Sequence, residues 1–144
     1  MTALSRTTRT LKCTFDGKTM TSELFDNMEI DGKDILENHL AAKEITAGQK
    51  YLVLVIGAPN TTINADGRDE ANMPGKYANV IAQAVVVKSL ANRIVGNFLI
   101  NFYKPACPMS LFSEKEKAVE WLNEQWEIYH GNKTKSGKRN LILT

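Results

Sequence analysis

The stretch YLVLVI at residues 51–56 restricts the fold more than any other, because every position in it is apolar. A strand that alternates apolar and polar residues buries one face, whereas a fully apolar strand needs cover on both faces. The apolar run ends after nine residues at Pro59, under half of the roughly 20 residues that a membrane span requires. We therefore predict a central strand here and no membrane span.

Further strands are predicted on both sides of this one. Residues 8–24 alternate apolar and polar positions around Asp16-Gly17, which predicts an antiparallel hairpin with a type I′ turn. The run AQAVVV at residues 82–87 predicts a second buried strand. The run CPMSLF at residues 107–112 predicts a short edge strand, because Pro108 cannot donate a backbone hydrogen bond.

Helices are predicted between the strands, and their ends carry characteristic cap residues. Asp31 is predicted to cap the first helix, and Ser89 is predicted to cap the one that follows the second buried strand. Ser113 and Glu116 have the S-x-x-E spacing of a capping box and are predicted to begin the last helix. The region 68–81 is predicted to form two short helices, because a Pro-Gly pair interrupts it.

Apolar strands that alternate with helices predict parallel connections, here preceded by an antiparallel hairpin. The predicted fold class is α/β, a mixed sheet of about five strands covered by about four helices. A chain of 144 residues with 43% hydrophobic content suffices for one core, so residues 1–130 are predicted to form one domain. Residues 131–144 are predicted to be a flexible basic tail with four bases and no acid: Lys133, Lys135, Lys138 and Arg139.

The composition also limits the partners and the compartment. Four basic residues without interleaved aromatic residues do not predict binding to nucleic acid. The first ten residues contain no apolar signal segment, so we expect a cytoplasmic protein. Cys13 and Cys107 lie far apart without a metal-binding spacing, and both are predicted to be reduced, buried thiols.

The second half of the chain resembles a known family. Residues 76–122 combine a predicted strand at 84–87, a helix at 92–102, Lys104-Pro105, Pro108, Phe112 and the ending AVEWL at 118–122. This combination resembles a family of small bacterial proteins, frequent in Bacteroidetes, that have the SpoIIAA-like fold and are distant relatives of STAS and SEC14-like domains. The resemblance implies a SpoIIAA-like fold, and because most members are uncharacterised it implies no particular reaction.

Among characterised relatives of this fold, anti-sigma-factor antagonists switch partners through a phosphorylated serine in an Asp-x-Ser motif that follows a central strand. The corresponding segment here, residues 56–62, reads IGAPNTT and lacks that motif. Thr61 and Thr62 are its only hydroxyl groups, and capping of the turn-rich loop explains them as well as phosphorylation does. The departure from the motif argues against partner switching.

No residue pattern in the sequence is typical of an active site. His39 lies among apolar positions of a predicted helix, His130 begins the basic tail, and Cys107 lies between Ala106 and a proline. The loop at residues 62–73 lacks acids at the first and last positions of a calcium loop. The glycine motifs of phosphate loops and of the nucleophile elbow are absent as well. We expect no catalysis, no metal and no cofactor.

One edge of the predicted sheet collects polar residues. The carboxyl ends of parallel strands meet at the same edge, where helix N-termini favour anions. The alternative interpretation is that these residues only cap helices and turns. The predicted ligand-binding or anion-binding edge comprises Asn60, Thr61, Thr62, Lys88, Ser89 and Ser113.

The helix predicted from Ser89 is apolar over a wider arc than the 100° or so that contact with a sheet requires. Three explanations remain open for the surplus: a second copy of the chain, a lipophilic ligand, or cover by the last helix with its two tryptophans. The residues of the predicted dimer or apolar-ligand surface are Leu90, Ile94, Val95, Phe98, Leu99 and Phe102.

The sequence as a whole therefore favours a non-catalytic binding or regulatory module. We expect it to act through protein–protein contacts, to form a homodimer and to have a protein partner. The alternative is a carrier of a small lipophilic molecule in the manner of SEC14-like domains, with an apolar cavity between sheet and helices.

Overall fold

The computed structural model describes residues 4–73, 75, 78–103 and 107–131, with backbone alone for residues 102 and 103. The strands along the chain are β1 (Leu4–Thr7), β2 (Leu11–Phe15), β3 (Thr19–Leu24), β4 (Glu29–Ile30), β5 (Tyr51–Ile56), β6 (Thr62–Ile63), β7 (Val80–Val86) and β8 (Met109–Phe112). The helices are α1 (Gly32–Thr46), α2 (Ala65–Ala71), α3 (Leu90–Phe98), which continues as a π-helix (Leu99–Tyr103), and α4 (Lys115–Tyr129).

Six strands form the main sheet, in the order β1-β2-β3-β5-β7-β8. The first three strands pair antiparallel, whereas β3, β5, β7 and β8 run parallel to one another. This confirms the predicted α/β class, an antiparallel hairpin followed by parallel strands, and it confirms the edge position of β8. The short strands β4 and β6 pair separately from this sheet.

The hairpin between β2 and β3 forms where predicted, but its turn differs from the prediction. Gly17 has a φ of 96°, while Asp16 does not have the positive φ that a type I′ turn requires at both central residues. The Asp16 carboxylate instead accepts the backbone N–H groups of Lys18 at 2.9 Å and Thr19 at 2.7 Å. The side chain thus holds the turn, and the predicted turn type is wrong.

Two of the three predicted helix caps are confirmed. The Asp31 side chain caps α1, and the Ser89 hydroxyl accepts the N–H of Asn92 at 3.1 Å. The capping box predicted at Ser113 is wrong, because α4 begins one residue later with Glu114 as its N-cap. The Ser113 hydroxyl instead accepts a hydrogen bond from Arg93 at 2.7 Å.

The region 68–81 forms one helix where the sequence predicts two. The side chain of Asn64 caps α2, so the helix begins before the predicted region. Residues 72, 73, 75, 78 and 79 lie in turns and bends rather than in a second helix. Residues 74, 76 and 77, like residues 132–144 of the predicted basic tail, lie outside the described residues.

The two faces of the main sheet are covered by different helices. Helix α4 packs Ala118 and Leu122 against one face, where a cluster of small and branched residues is buried: Leu52, Leu54, Ala82, Ala84 and Val86. Helix α1 packs Ile45 over the other face near the hairpin, against Leu11, Cys13, Phe15, Met20 and Tyr51. None of the helices in the described part of the chain combines the length and apolar character needed to cross a bilayer.

An ion pair fixes the start of α1 to the loop before β2. The Arg9 guanidinium donates to both carboxylate oxygens of Asp34, at 2.8 and 2.5 Å. Asp34 is buried and also accepts the backbone N–H of Asp31, which completes a capping box. These donors, with Arg9 the largest influence, lower the pKa of Asp34 to about 2.

We predict that Asp34→Asn lowers the free energy of unfolding by about 1.5–3 kcal/mol at pH 7, the range for hydrogen bonds to a charged group. An unfolded aspartate has a pKa of about 3.9, so the stabilisation by ionised Asp34 is complete above about pH 4. It is lost as the pH falls from about 4 to 2. Urea unfolding across pH 2–7 measures both effects.

The variant Glu23→Gln, which changes an exposed carboxylate on β3, is the matched control for this experiment. It is expected to keep the wild-type loss of stability between pH 4 and 2. The same loss in the Asp34→Asn variant would contradict the assignment.

Candidate binding cavity

A cavity of about 310 Å³ lies between the main sheet and helices α1 and α3, and it is partly open to solvent. Its floor comes from the sheet face opposite α4, because alternate residues of a strand point to opposite faces. The floor includes Ser22, Val53, Val55, Gln83, Val85 and Met109, from the strands β3, β5, β7 and β8.

The walls of the cavity come from three helices and the small sheet. Helix α1 contributes one side, the end of α2 contributes Ala71 and Asn72, and α3 contributes the opposite side. Strands β4 and β6 contribute Ile30, Thr62 and Ile63. The wall residues of α1 and α3 are Ile35, Asn38, His39, Ala42, Ala91, Asn92, Val95, Gly96 and Leu99.

Asn92 holds the rim of the cavity at the carboxyl ends of β5 and β7. Its side-chain oxygen accepts the backbone N–H of Lys88 at 3.0 Å, and its amide donates to the carbonyl of Ala58 at 3.1 Å. A Cβ atom on Gly57 would lie 2.8 Å from the same oxygen, so only glycine fits below it. Asn92 thereby ties the first turn of α3 to the loop after β5.

Thr61 holds the neighbouring part of the rim. Its buried hydroxyl donates to the carbonyl of Phe25 and accepts the N–H of Met28 at 3.2 Å. These bonds join the loop after β5 to the loop after β3. Sequence reasoning placed Thr61 at this edge, but it did not find Asn92.

The predicted polar edge does gather at the carboxyl ends of the parallel strands, but structural hydrogen bonds use most of its side chains. Asn60 donates from its backbone N–H and its amide to Asp26, at 2.7 and 3.0 Å. Ser89 caps α3, and Ser113 binds Arg93. Of these contacts only that of Ser89 is a helix cap, and anion binding at this edge stays a prediction.

The remaining members of the edge, Thr62 and Lys88, are exposed. Thr62 lies in β6 and donates its N–H to the carbonyl of Met28 at 2.9 Å. The N–H of Asn60 lowers the pKa of Asp26 beside this edge, which keeps that carboxylate ionised. The negative charge of Asp26 would repel an anion that binds at this edge.

The structure divides the predicted apolar surface of α3 between two sides of the helix. Val95 and Leu99 line the cavity. Leu90, Ile94 and Phe98 point outward with 73%, 59% and 37% of their surface exposed. The side chain of Phe102 lies outside the described residues.

Helix α4 does not cover the outward stripe of α3. Trp121 of α4 packs with Phe112 at a ring distance of 5.7 Å, and Trp126 joins the same core cluster on the face away from the cavity. Val119 of α4 is itself 37% exposed. Cover by the last helix is therefore wrong as an explanation for the wide apolar arc of α3.

The thiols lie outside the cavity lining in the described part of the chain. Cys13 and Cys107 are both buried and unpaired, as the sequence predicts. Burial raises the pKa of Cys107 to about 11 and also raises the pKa of Cys13. Both thiols are consequently protonated and weakly nucleophilic at neutral pH.

Sequence reasoning missed the cavity residues on the sheet. The signal was present in the run AQAVVV, where Gln83 is the single polar residue of a strand otherwise suited to burial. Alternation places Gln83 on the cavity face, while Ala82 and Ala84 pack under α4.

The substitution Asn92→Leu keeps the branched shape of the side chain but removes the bonds to Ala58 and Lys88. We expect the free energy of unfolding to fall by about 2–3 kcal/mol, because two or more backbone groups lose their partner. Asn97→Leu, at an exposed position of the same helix, is the control and is expected to change stability by less than about 0.5 kcal/mol. Equal urea midpoints for the two variants would contradict the role of Asn92.

Comparison with known proteins gives a family and a fold. Residues 16–125 match the family described as a domain of unknown function, DUF7793. The structure resembles that of an uncharacterised protein of the DUF3478 family with a SpoIIAA-like fold from Shewanella loihica PV-4, with a TM-score of 0.52 and 10% identity. The match covers 84% of this chain and 92% of that one, which supports the SpoIIAA-like fold implied by the sequence. No curated protein matches the sequence.

Proposed function

This chain belongs to the DUF7793 family of unknown function, and we propose that it is a non-catalytic binding module that holds a small apolar molecule in the cavity between its sheet and helices. The observation that carries the proposal is the apolar floor of that cavity. On β5 and β7, the side chains of Val53, Val55 and Val85 line this open space.

Physical chemistry favours an occupant for such a space. Apolar side chains that face water in an open cavity gain free energy when an apolar ligand displaces that water. At about 310 Å³ the cavity lies near the lower end of the roughly 300–1,000 Å³ typical of ligand pockets. The occupant is accordingly small. It contacts the side chains of the sheet and of α1 that do not contact each other across the cavity.

The chemistry of the lining supports binding rather than catalysis. The lining residues of the described chain contain no Lys, Arg, Asp, Glu or Cys. Several of its polar side chains already have structural partners. Asn38 donates to Thr10 at 3.0 Å and accepts from Thr8 at 2.6 Å, and Asn92 and Thr61 hold the rim.

The SpoIIAA-like family that the sequence resembles is distantly related to SEC14-like domains, and this relationship supports the same proposal, a carrier of a small lipophilic molecule. The structural neighbour from Shewanella loihica is itself uncharacterised and supports the fold alone.

A neutral fluorescent probe, N-phenyl-1-naphthylamine, tests the proposal with purified protein. We expect a saturable rise in fluorescence with one probe bound per chain. Ala42→Phe places a ring in the cavity from α1 and is expected to lower the probe affinity at least tenfold. Leu40→Phe changes an exposed position of the same helix and is expected to leave the affinity unchanged.

Circular dichroism first establishes that both variants are folded. Equal probe affinity in folded Ala42→Phe and wild-type protein would place the probe elsewhere and contradict the proposal, as would a wild-type protein that does not bind the probe.

A second candidate function, self-association through α3, rests on a separate observation. The outward residues Leu90, Ile94 and Phe98 repeat every fourth position and form one exposed apolar stripe on α3. Arg68 lies over the Phe98 ring at 5.6 Å, at one end of this stripe. The proposed occupant of the stripe is a second copy of the chain, related by a two-fold axis.

Ile94→Lys tests self-association without altering the cavity. Ile94 faces solvent and is not among the residues that line the cavity, whereas Leu99 is. We expect a dimer of the wild-type chain and a folded monomer of the variant in sedimentation velocity. Leu40→Lys, which charges an exposed position of α1, is expected to stay dimeric. A monomeric wild-type chain, or a dimeric Ile94→Lys variant, would exclude α3 as the interface.

A further inference from the structure

Gln83 occupies an unusual position for a polar residue. It lies on β7 in the parallel part of the sheet, paired with Val53 of β5 on one side and Met109 of β8 on the other. All three residues line the cavity floor. A primary amide is therefore surrounded by apolar side chains at the base of the cavity.

The amide of Gln83 is available to an occupant. Its side chain is half-buried, and no hydrogen bond joins it to any residue in the described part of the chain. Its backbone N–H is used separately, by the carbonyl of Pro108 at 2.9 Å. An amide carries two donors and an acceptor, and leaving them without partners in apolar surroundings costs free energy.

Two further side chains of the floor are polar but uncharged. Ser22 lies on β3 opposite Val55, and Tyr51 lies two residues before Val53 along β5. Burial raises the pKa of Tyr51, so its hydroxyl remains a neutral group. Tyr51 also packs edge-on against Phe15 at 6.1 Å, which holds the ring in place.

Lys, Arg, Asp and Glu are absent from the described lining residues, and His39 is the one basic side chain among them, which restricts the occupant. Moving an ionised carboxylate, phosphate or ammonium group from water into this cavity removes its hydration without supplying a Lys, Arg, Asp or Glu partner. A neutral hydroxyl or carboxamide, in contrast, exchanges hydrogen bonds with water for hydrogen bonds with the glutamine amide.

We propose that Gln83 is the residue that selects the ligand, and that the ligand is a neutral amphiphile whose hydroxyl or carboxamide group binds the Gln83 amide. The inference rests on the proposed function, since it names the chemical class that the cavity takes. The apolar body of the ligand lies against the valines of the floor and against Val95 and Leu99 of α3.

Displacement of N-phenyl-1-naphthylamine by four molecules with the same eight-carbon chain tests the inference at pH 7. The competitors are octan-1-ol, octanamide, octanoate and octylammonium. For the wild-type chain we expect the alcohol and the amide to displace the probe at concentrations at least about tenfold lower than the two ions.

Gln83→Met keeps the length of the side chain and removes the amide. We expect it to weaken octan-1-ol and octanamide about 2- to 10-fold, the effect of one lost hydrogen bond, with little change in the affinity for the probe. Gln125→Met, on α4 at the other face of the sheet, is the matched control and is expected to keep the wild-type preference.

The outcomes separate this inference from the function on which it rests. Octanoate or octylammonium binding as tightly as octanamide to the wild-type chain would overturn the inference while the probe result still supports the cavity. An unchanged preference in folded Gln83→Met would overturn the role of Gln83. Should that variant fail to fold, the comparison of head groups on the wild-type chain decides whether the cavity prefers neutral ligands. A wild-type chain that does not bind the probe overturns both proposals.

Discussion

The two faces of the central strand β5 are covered in different ways. Leu52 and Leu54 point to one side and are closed off by Ala118 and Leu122 of α4. Val53 and Val55 point to the other side, where α1 and α3 stand apart and leave the cavity between them. One strand thus has a packed face that stabilises the fold and a second face that lines the cavity.

The cavity stays open because its walls are fixed by polar contacts at their ends rather than by packing across the gap. Arg9 and Asp34 hold the start of α1, and Asn92 holds the start of α3. The small sheet of β4 and β6 lies between them, and Asp66 of α2 accepts the N–H of Gly32 at 2.9 Å. Such contacts set the positions of the helices without filling the space above the sheet.

The sequence predicted elements whose signals are local. The strand at 51–56, the hairpin and the caps at Asp31 and Ser89 each depend on neighbouring residues, and all are confirmed. The strand β1 was missed because LSRT is exposed throughout and has no apolar alternation. Ser113 was misassigned because its hydroxyl binds Arg93, a contact twenty positions away that no local pattern reveals.

The site was harder to predict than the fold for the same reason. Which side of α3 meets the cavity depends on where the helix lies on the sheet, so Val95 and Ile94 could not be separated by sequence pattern alone. Gln83 carried a local signal, a polar residue in a buried strand. That signal could be interpreted only from the structure, in which Val53 and Met109 flank Gln83 and open space lies above it.

Apolar space remains above β5 and β7, and a crystal of the protein pressurised with xenon tests whether it does. Xenon binds dry apolar cavities and not filled interiors. We expect a xenon atom in contact with Val53, Val85 and Val95. A crystal in which side chains of α1 and α3 meet over the sheet, with no xenon between them, would contradict it.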